Sequence, residues 1–170
     1  MSNANFLETA IKAAKEAEKG ILDYFHGNIK FEMKQDESPV TIADKNAEKI
    51  IIDVIKKEFP DHGFLGEEFG SSNSDKEYIW IIDPIDGTKN YIRNVPLFAT
   101  QIGLLHKGKF IAGVSNMPGT DELFYAETGK GAFLNDNPLQ VSDRQLEECY
   151  TTYGGLYFFK KHGLVEPLLE

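Results

Sequence analysis

The sequence predicts an α+β layered domain, two helices packed on a mostly antiparallel sheet. Three observations predict it. Apolar residues recur at spacings of three and four over two long segments in the first third of the chain. Short β-rich runs bounded by turn residues follow, from Tyr78 to Leu134. The helices come first and the strands follow as a meander, an order that sets the helices on one side of a sheet.

Taken in order, Phe6, Ala10, Ala13, Ala17, Ile21 and Tyr24 line one face of a helix that ends near Gly27. Ile29 to Met33 reads as a short strand. Lys34-Gln35-Asp36-Glu37-Ser38 reads as a polar loop, kept extended by Pro39. Thr41 to Glu58 is a second helix, with Ala43, Ala47, Ile50, Ile51, Val54 and Ile55 on one face and Thr41 and Asp44 as an acidic capping box. Pro60-Asp61-His62-Gly63 stops it, and Phe64-Leu65-Gly66 is a strand that delivers Glu67-Glu68 at its end. Ser71 to Lys76 reads as a surface loop. Thr100–His106 and Phe110–Met117 form a hairpin through Lys107-Gly108-Lys109; Glu122–Glu127 and Gly131–Leu134 follow as strands, and Asn135–Pro138 as a turn. His62 is read as a loop residue, Cys149 as a small buried hydrophobe, and Trp80, Tyr91 and Phe98 as core.

Composition narrows the function. The 170 residues carry a net charge of −9 and no basic run, which argues against nucleic acid and against an anionic membrane surface. No apolar run approaches the length of a membrane span. The single cysteine excludes an internal disulfide and fits a reduced, cytoplasmic setting.

The chemistry concentrates in Tyr78–Pro96. Ile79-Trp80-Ile81-Ile82 runs into Asp83, and Pro84, which cannot donate to a ladder, is expected to end the strand there. Asp86 follows in a tight loop, and Gly87-Thr88 opens a helical turn over Lys89–Ile92, whose free amides suit an anion such as phosphate. Two hard carboxylates beside such a turn suit Mg²⁺, and a cation relieves their mutual repulsion. Taken singly, each piece has a plainer reading: Asp-Pro and Asp-Gly are common turn formers, Glu67-Glu68 a solvated pair and Asp44 a cap. The combination carries the case.

Asp44, Gly66-Glu67-Glu68 and Trp80-Ile81-Ile82-Asp83-Pro84-Ile85-Asp86-Gly87-Thr88 together resemble the inositol monophosphatase family of Mg²⁺-dependent, lithium-sensitive phosphatases. The resemblance runs from the first helix to at least Val141. Within the family, Ser38–Asp44 and Asp61–Gly70 are most similar to histidinol-phosphatase-type members. It implies the N-terminal half of a layered sugar-phosphatase fold over residues 1–170. The family's downstream Trp-Asp motif, which completes the second metal site, has no counterpart here, so the C-terminal part is expected to be absent from this chain.

The resemblance also implies roles. Glu67, Asp83 and the Ile85 carbonyl would hold a first metal, and Asp83 and Asp86 a second. Thr88, oriented by Asp44, would work with Glu67 to activate the attacking water. The Gly87 and Thr88 amides would bind phosphate oxygens, Glu68 would stand behind the metals or hold a third, and Lys34 would lie at the mouth. The implied cofactor is Mg²⁺, two or three ions, with Mn²⁺ as a substitute and Li⁺ or Ca²⁺ inhibitory. The implied substrate is a small phosphorylated polyol or amino alcohol, and the implied assembly a homodimer. Two further readings stay open: a truncated or degenerate member that binds metal or a partner without catalysis, and a bisphosphate nucleotidase or sugar bisphosphatase.

Overall fold

A computed structural model of the chain describes residues 5–27, 31–33, 39–150 and 156–163. Helix α1 spans Phe6–Phe25, and the Asn5 side chain caps it by accepting from the Glu8 amide at 3.2 Å. Its buried face is Ala10, Ala13, Ala14, Ala17 and Ile21, small enough for helix α2, Ile42–Glu58, to pack closely against it. Ala43, Ala47, Ile51, Val54 and Ile55 supply the matching face of α2. The expected capping box forms: the Thr41 hydroxyl accepts from the Ala43 and Asp44 amides, and the Asp44 carboxylate accepts the Thr41 amide at 2.7 Å. Such a cap contributes about 1 kcal/mol.

Strands β1 (Phe31–Met33) and β2 (Pro39–Thr41) form a separate antiparallel pair. The main sheet has eight strands: β3 (Gly63–Gly66), β4 (Gly70–Ser72), β5 (Tyr78–Asp86), β6 (Ala99–His106), β7 (Lys109–Met117), β8 (Glu122–Glu127), β9 (Gly131–Leu134) and β10 (Asn137–Pro138). Their order is β10-β9-β8-β7-β6-β5-β3-β4, antiparallel throughout except for β3 beside β5. A short helix, α3 (Thr88–Tyr91), follows β5.

Alternation sorts the two faces of the sheet. Trp80, Ile82, Ile102, Leu104, Ala112 and Val114 are buried in one core with the inner faces of α1 and α2. Each such large side chain contributes about 1.5–3 kcal/mol by leaving water. Polar ties fix the layers: the Asn116 amide on β7 donates to Glu18 of α1 at 2.8 Å, and the Tyr91 hydroxyl donates to the Ile21 carbonyl at 2.7 Å. Trp80, Tyr91 and Phe98 are core, as expected.

Four expectations change. The predicted loop from Ser71 begins as strand, because β4 turns back antiparallel onto β3. Asn137-Pro138 pairs with β9 as well as turning. The strand that Pro84 was expected to end runs on to Asp86, for a reason given below. Cys149 is exposed, not buried. Its neighbours explain this: from Val141 to Tyr150, single apolar residues stand among Ser142, Asp143, Arg144, Glu147 and Glu148 with no repeating face to bury, and Val141, Leu146 and Tyr150 are exposed too. Residues 140–170 form a compact unit of their own, described only by a 3₁₀ turn at Leu146–Glu148 and helix α4 at Leu156–Lys161.

Candidate metal and phosphate site

The parallel pairing of β3 and β5 builds the site. Gly63 pairs with Ile79 and Gly66 with Ile82, so both strands end at the same edge of the sheet. The Glu67 amide extends the ladder by one bond, to the Ile82 carbonyl at 3.1 Å. The next residue along β5 is Asp83. Two acids sixteen positions apart thus become neighbours, as their placement at strand ends requires.

A bulge then brings in Asp86. Asp83 pairs with Gln101 and Asp86 with Ala99, so β5 carries one residue more than β6 between those points. In a regular strand, residues three apart point to opposite faces. The extra residue returns Asp86 to the face of Asp83, where the Gln101 side-chain amide donates to it at 3.1 Å. Pro84 sits inside the bulge, where its missing N–H leaves no ladder bond unmade. The Thr100 hydroxyl pins the Pro84 carbonyl at 2.9 Å, and the Ile85 side chain is buried. The proline therefore marks a bulge within the strand and not its end.

The electrostatics of the cluster are unfavourable as it stands. Burial, the Glu67 carboxyl group and the charge of Asp86 together push the Asp83 carboxyl up to about 8. The Ile85 amide opposes this by favouring the ionised form. Asp83 Oδ1 is buried with no hydrogen-bond partner among the described residues. An orphaned oxygen in an all-oxygen donor set is what a hard dication would satisfy, so the residues fit Mg²⁺. Among the described residues no three acidic, histidine or cysteine side chains close into a cage on their own. Mg²⁺ does not need one, since it keeps waters and takes oxygens from substrate phosphate.

Beyond the bulge, Gly87 caps α3 at φ 92°, ψ 30°. A Cβ there would meet the Leu97 carbonyl oxygen at 3.0 Å and Phe98 Cα at 3.3 Å, so the turn requires glycine on both counts. The first amides of this turn have no carbonyl one turn back within it. The Thr88 hydroxyl donates to the Ile85 carbonyl at 3.1 Å. Asp44 Oδ2 accepts from the amide and hydroxyl of Thr41, at 2.7 and 2.6 Å. The expected orientation of Thr88 by Asp44 is thus not made as a hydrogen bond here, because the Thr88 hydroxyl donates to Ile85 and Asp44 Oδ2 serves the capping box. Burial raises the Asp44 carboxyl above its ordinary range, against the Thr41 bonds, which lower it. Glu68 follows Glu67 in the turn after β3, half-buried. Lys34 lies outside the described residues.

Sequence reading missed three supporting residues. Gln101 and Thr100 sit on β6 opposite the bulge and carry no local signal. Glu48 is fully buried on α2 and accepts the Glu68 and Phe69 amides at 2.8 and 3.1 Å. Burial raises its carboxyl, and those two amides partly offset the rise. Its position one turn after Asp44, on the apolar face of α2, was the available clue. His62 is more than a loop residue: it stacks between Phe59 and Tyr78, and its Nδ1 accepts the Trp80 indole N–H at 2.9 Å.

The outer face of the sheet beside Asp83 and Gln101 is an apolar trough of about 990 Å³ lined by Ile81, Phe110, Phe124 and Phe133. Its lining does not suit a phosphorylated polyol. No helix among the described residues is long and apolar enough to cross a membrane.

The α+β layer thus gathers Glu67, Asp83 and Asp86 at one sheet edge, beside a glycine-capped turn. The chain belongs to the inositol monophosphatase family, which it matches over residues 2–157. It is 46% identical over 162 residues to a histidinol-phosphatase of Chlorobaculum parvum, covering 95% of this chain and 61% of that protein. It is 39% identical over 153 residues to a fructose-1,6-bisphosphatase/inositol-1-monophosphatase of Aquifex aeolicus, covering 88% of this chain and 58% of that one. The solved inositol monophosphatase from Anabaena (Nostoc) superposes with a TM-score of 0.72 at 40% identity, over 82% of this chain and 50% of the other. The chain thus spans about three-fifths of the length of these two curated relatives.

Proposed function

We propose that this chain carries the metal- and phosphate-binding part of a Mg²⁺-dependent phosphomonoesterase acting on a small phosphorylated polyol or amino alcohol. The observation that carries the reading is Asp83: a buried, unpartnered carboxylate oxygen set between Glu67 and Asp86. Glu67, Asp83 and the Ile85 carbonyl would hold one ion, and Asp83 with Asp86 a second. Bound Mg²⁺ would neutralise the carboxylates and the phosphate and make a water acidic enough to attack phosphorus.

The chain's own residues do the remaining work. Gln101 holds Asp86 in place, and Thr100 holds the bulge that aims it. The Gly87 and Thr88 amides would bind phosphate oxygens at a turn whose tight cap only glycine allows. Glu67, with the Thr88 hydroxyl turned from Ile85, would take the proton of the attacking water, and Asp44 would orient Thr88 once that turn is made. Glu68 and Lys34 would serve at the margin of the site. A homodimer in a cytoplasmic setting is part of the same proposal.

Histidinol phosphate is the first substrate to test, since a relative 46% identical bears the name histidinol-phosphatase. A bisphosphate substrate is the second reading, favoured by the name of the Aquifex aeolicus relative. Phosphate release from histidinol phosphate, inositol 1-phosphate and an adenosine bisphosphate, with Mg²⁺ and then added Li⁺, decides among them. Mg²⁺-dependent, Li⁺-sensitive release is expected, and Asp86→Asn should lower it at least about 100-fold. Near-normal turnover in Asp86→Asn would sink the metal assignment, and no turnover of any substrate by the wild-type chain would favour the truncated member that binds metal without catalysis.

A further inference from the structure

We infer that Glu48 is a positioning residue for the metal-binding carboxylates, acting through the turn that carries Glu67; the inference rests on the metal-site reading above. Glu48 lies one helical turn after Asp44 on the buried face of α2 and is 0% exposed. Its two carboxylate oxygens divide between successive amides, Oε2 taking the Glu68 N–H at 2.8 Å and Oε1 the Phe69 N–H at 3.1 Å. Amide bonds to a carboxylate are stronger and more directional than those to a neutral acceptor.

Gly66 makes this possible. A Cβ at Gly66 would lie 1.9 Å from Glu48 Oε1 and 2.5 Å from its Cδ. The backbone of β3 therefore passes directly over the carboxylate, and only a residue without a side chain leaves the room. Gly66-Glu67-Glu68 is in this sense one device. The glycine admits the buried carboxylate, and the two amides after Glu67 close on it. The Glu67 amide itself is bonded to Ile82 on β5 at 3.1 Å. Glu67 is thus clamped on both sides, to β5 before it and to α2 after it, and Glu48 is the anchor on the α2 side.

A merely structural role predicts loss of stability alone. A buried carboxylate is a costly way to hold a turn, because it must be desolvated. What it adds is geometry: it fixes how far Glu67 reaches toward Asp83, and so the spacing of the oxygens offered to a cation. Ligand geometry off by about 1 Å is enough to spoil such a site.

The test uses Glu48→Gln and Gly66→Ala in the same chain. The first keeps the volume but turns an NH₂ group toward one of the two amides. The second displaces the same carboxylate without changing any ionisable group. Both are first checked for retained secondary structure by circular dichroism. Mn²⁺ binding is then followed by electron paramagnetic resonance, and amide hydrogen exchange is read at Glu68 and Phe69. Each variant is expected to bind Mn²⁺ at least tenfold more weakly and to exchange those two amides at least tenfold faster. In turnover, the Mg²⁺ concentration for half-maximal rate should rise at least tenfold while kcat at saturating Mg²⁺ falls less than threefold. Wild-type Mn²⁺ affinity in both variants, with only a lowered melting temperature, would overturn the proposal. If the wild-type chain neither binds Mn²⁺ nor releases phosphate, the phosphatase reading fails. Glu48 is then judged by exchange alone, and unchanged rates at Glu68 and Phe69 overturn it.

Discussion

Replacing Asp83 by Asn should stabilise the metal-free protein while removing its response to Mg²⁺. The carboxyl of Asp83 stands at about 8 in the folded chain, against an ordinary value of 3.8. Its folded value is raised, so the folded state holds a proton that the unfolded state releases. Stability is therefore lost as pH rises from about 4 toward 8 and returns as pH falls. Each pH unit across that window is worth up to about 1.4 kcal/mol. Between pH 5 and pH 7 the upper bound is about 3 kcal/mol; water reaching the half-buried carboxyl brings a realistic figure to about 1–2 kcal/mol. For a chain of this length that is roughly 2–8 °C in melting temperature. The assay is a melting curve at pH 5 and pH 7 in chelator, then with Mg²⁺. Wild type should melt lower at pH 7 than Asp83→Asn does, and Mg²⁺ should raise wild type alone. An unchanged pH slope in Asp83→Asn, or an equal Mg²⁺ gain in both proteins, would refute the reasoning.

Three further outcomes follow from particular contacts. Burial lowers the pKa of His62, and its Nδ1 must stay unprotonated to accept from Trp80, so its contribution to stability is present above about pH 6.5 and fades as pH falls below it; urea midpoints read through Trp80 emission should show that step in wild type and lose it in His62→Phe. The same substitution leaves the Trp80 N–H unpartnered and should cost about 1–3 kcal/mol at pH 7.5, and a persistent acid step in the variant would contradict the assignment. Gly87→Ala forces a side chain onto the Leu97 carbonyl at φ 92° and should cost about 1–3 kcal/mol in thermal melts, whereas an unchanged midpoint would show that the turn tolerates a Cβ. Thr100→Val removes the hydroxyl that pins Pro84 and should cost about 1 kcal/mol while weakening Mn²⁺ binding at least threefold; full Mn²⁺ affinity would mean that the bulge holds without it.

Much of this was legible in the residues themselves. Periodicity marked both helices because an amphipathic face must repeat every three to four residues to be buried. The capping box at Thr41 and Asp44 was readable because a cap is a contact within one turn of chain. The hairpin at Lys107-Gly108 and strands β8 and β9 were readable because turn residues interrupt alternating runs. The acids were identifiable as candidates from their spacing to Gly87 and Thr88. Cys149 was misjudged because its residue type favours burial while its neighbours form no apolar face.

By itself the sequence determined what is local: that two long segments coil, where α1 and α2 start, and which runs between Tyr78 and Leu134 extend. Only the tertiary structure decided what those carboxylates meet. Glu67 reaches Asp83 because β3 and β5 run parallel in register, and nothing within either strand encodes that partner. Asp86 turns to the face of Asp83 because β6 takes up one residue fewer than β5 across the bulge. Gly66 is required because Glu48, eighteen positions earlier on a helix, packs beneath it. Propensity and periodicity report a chain's preferences over a few residues. Register and close approach arise from contacts between distant segments, and those exist only once the layers have packed.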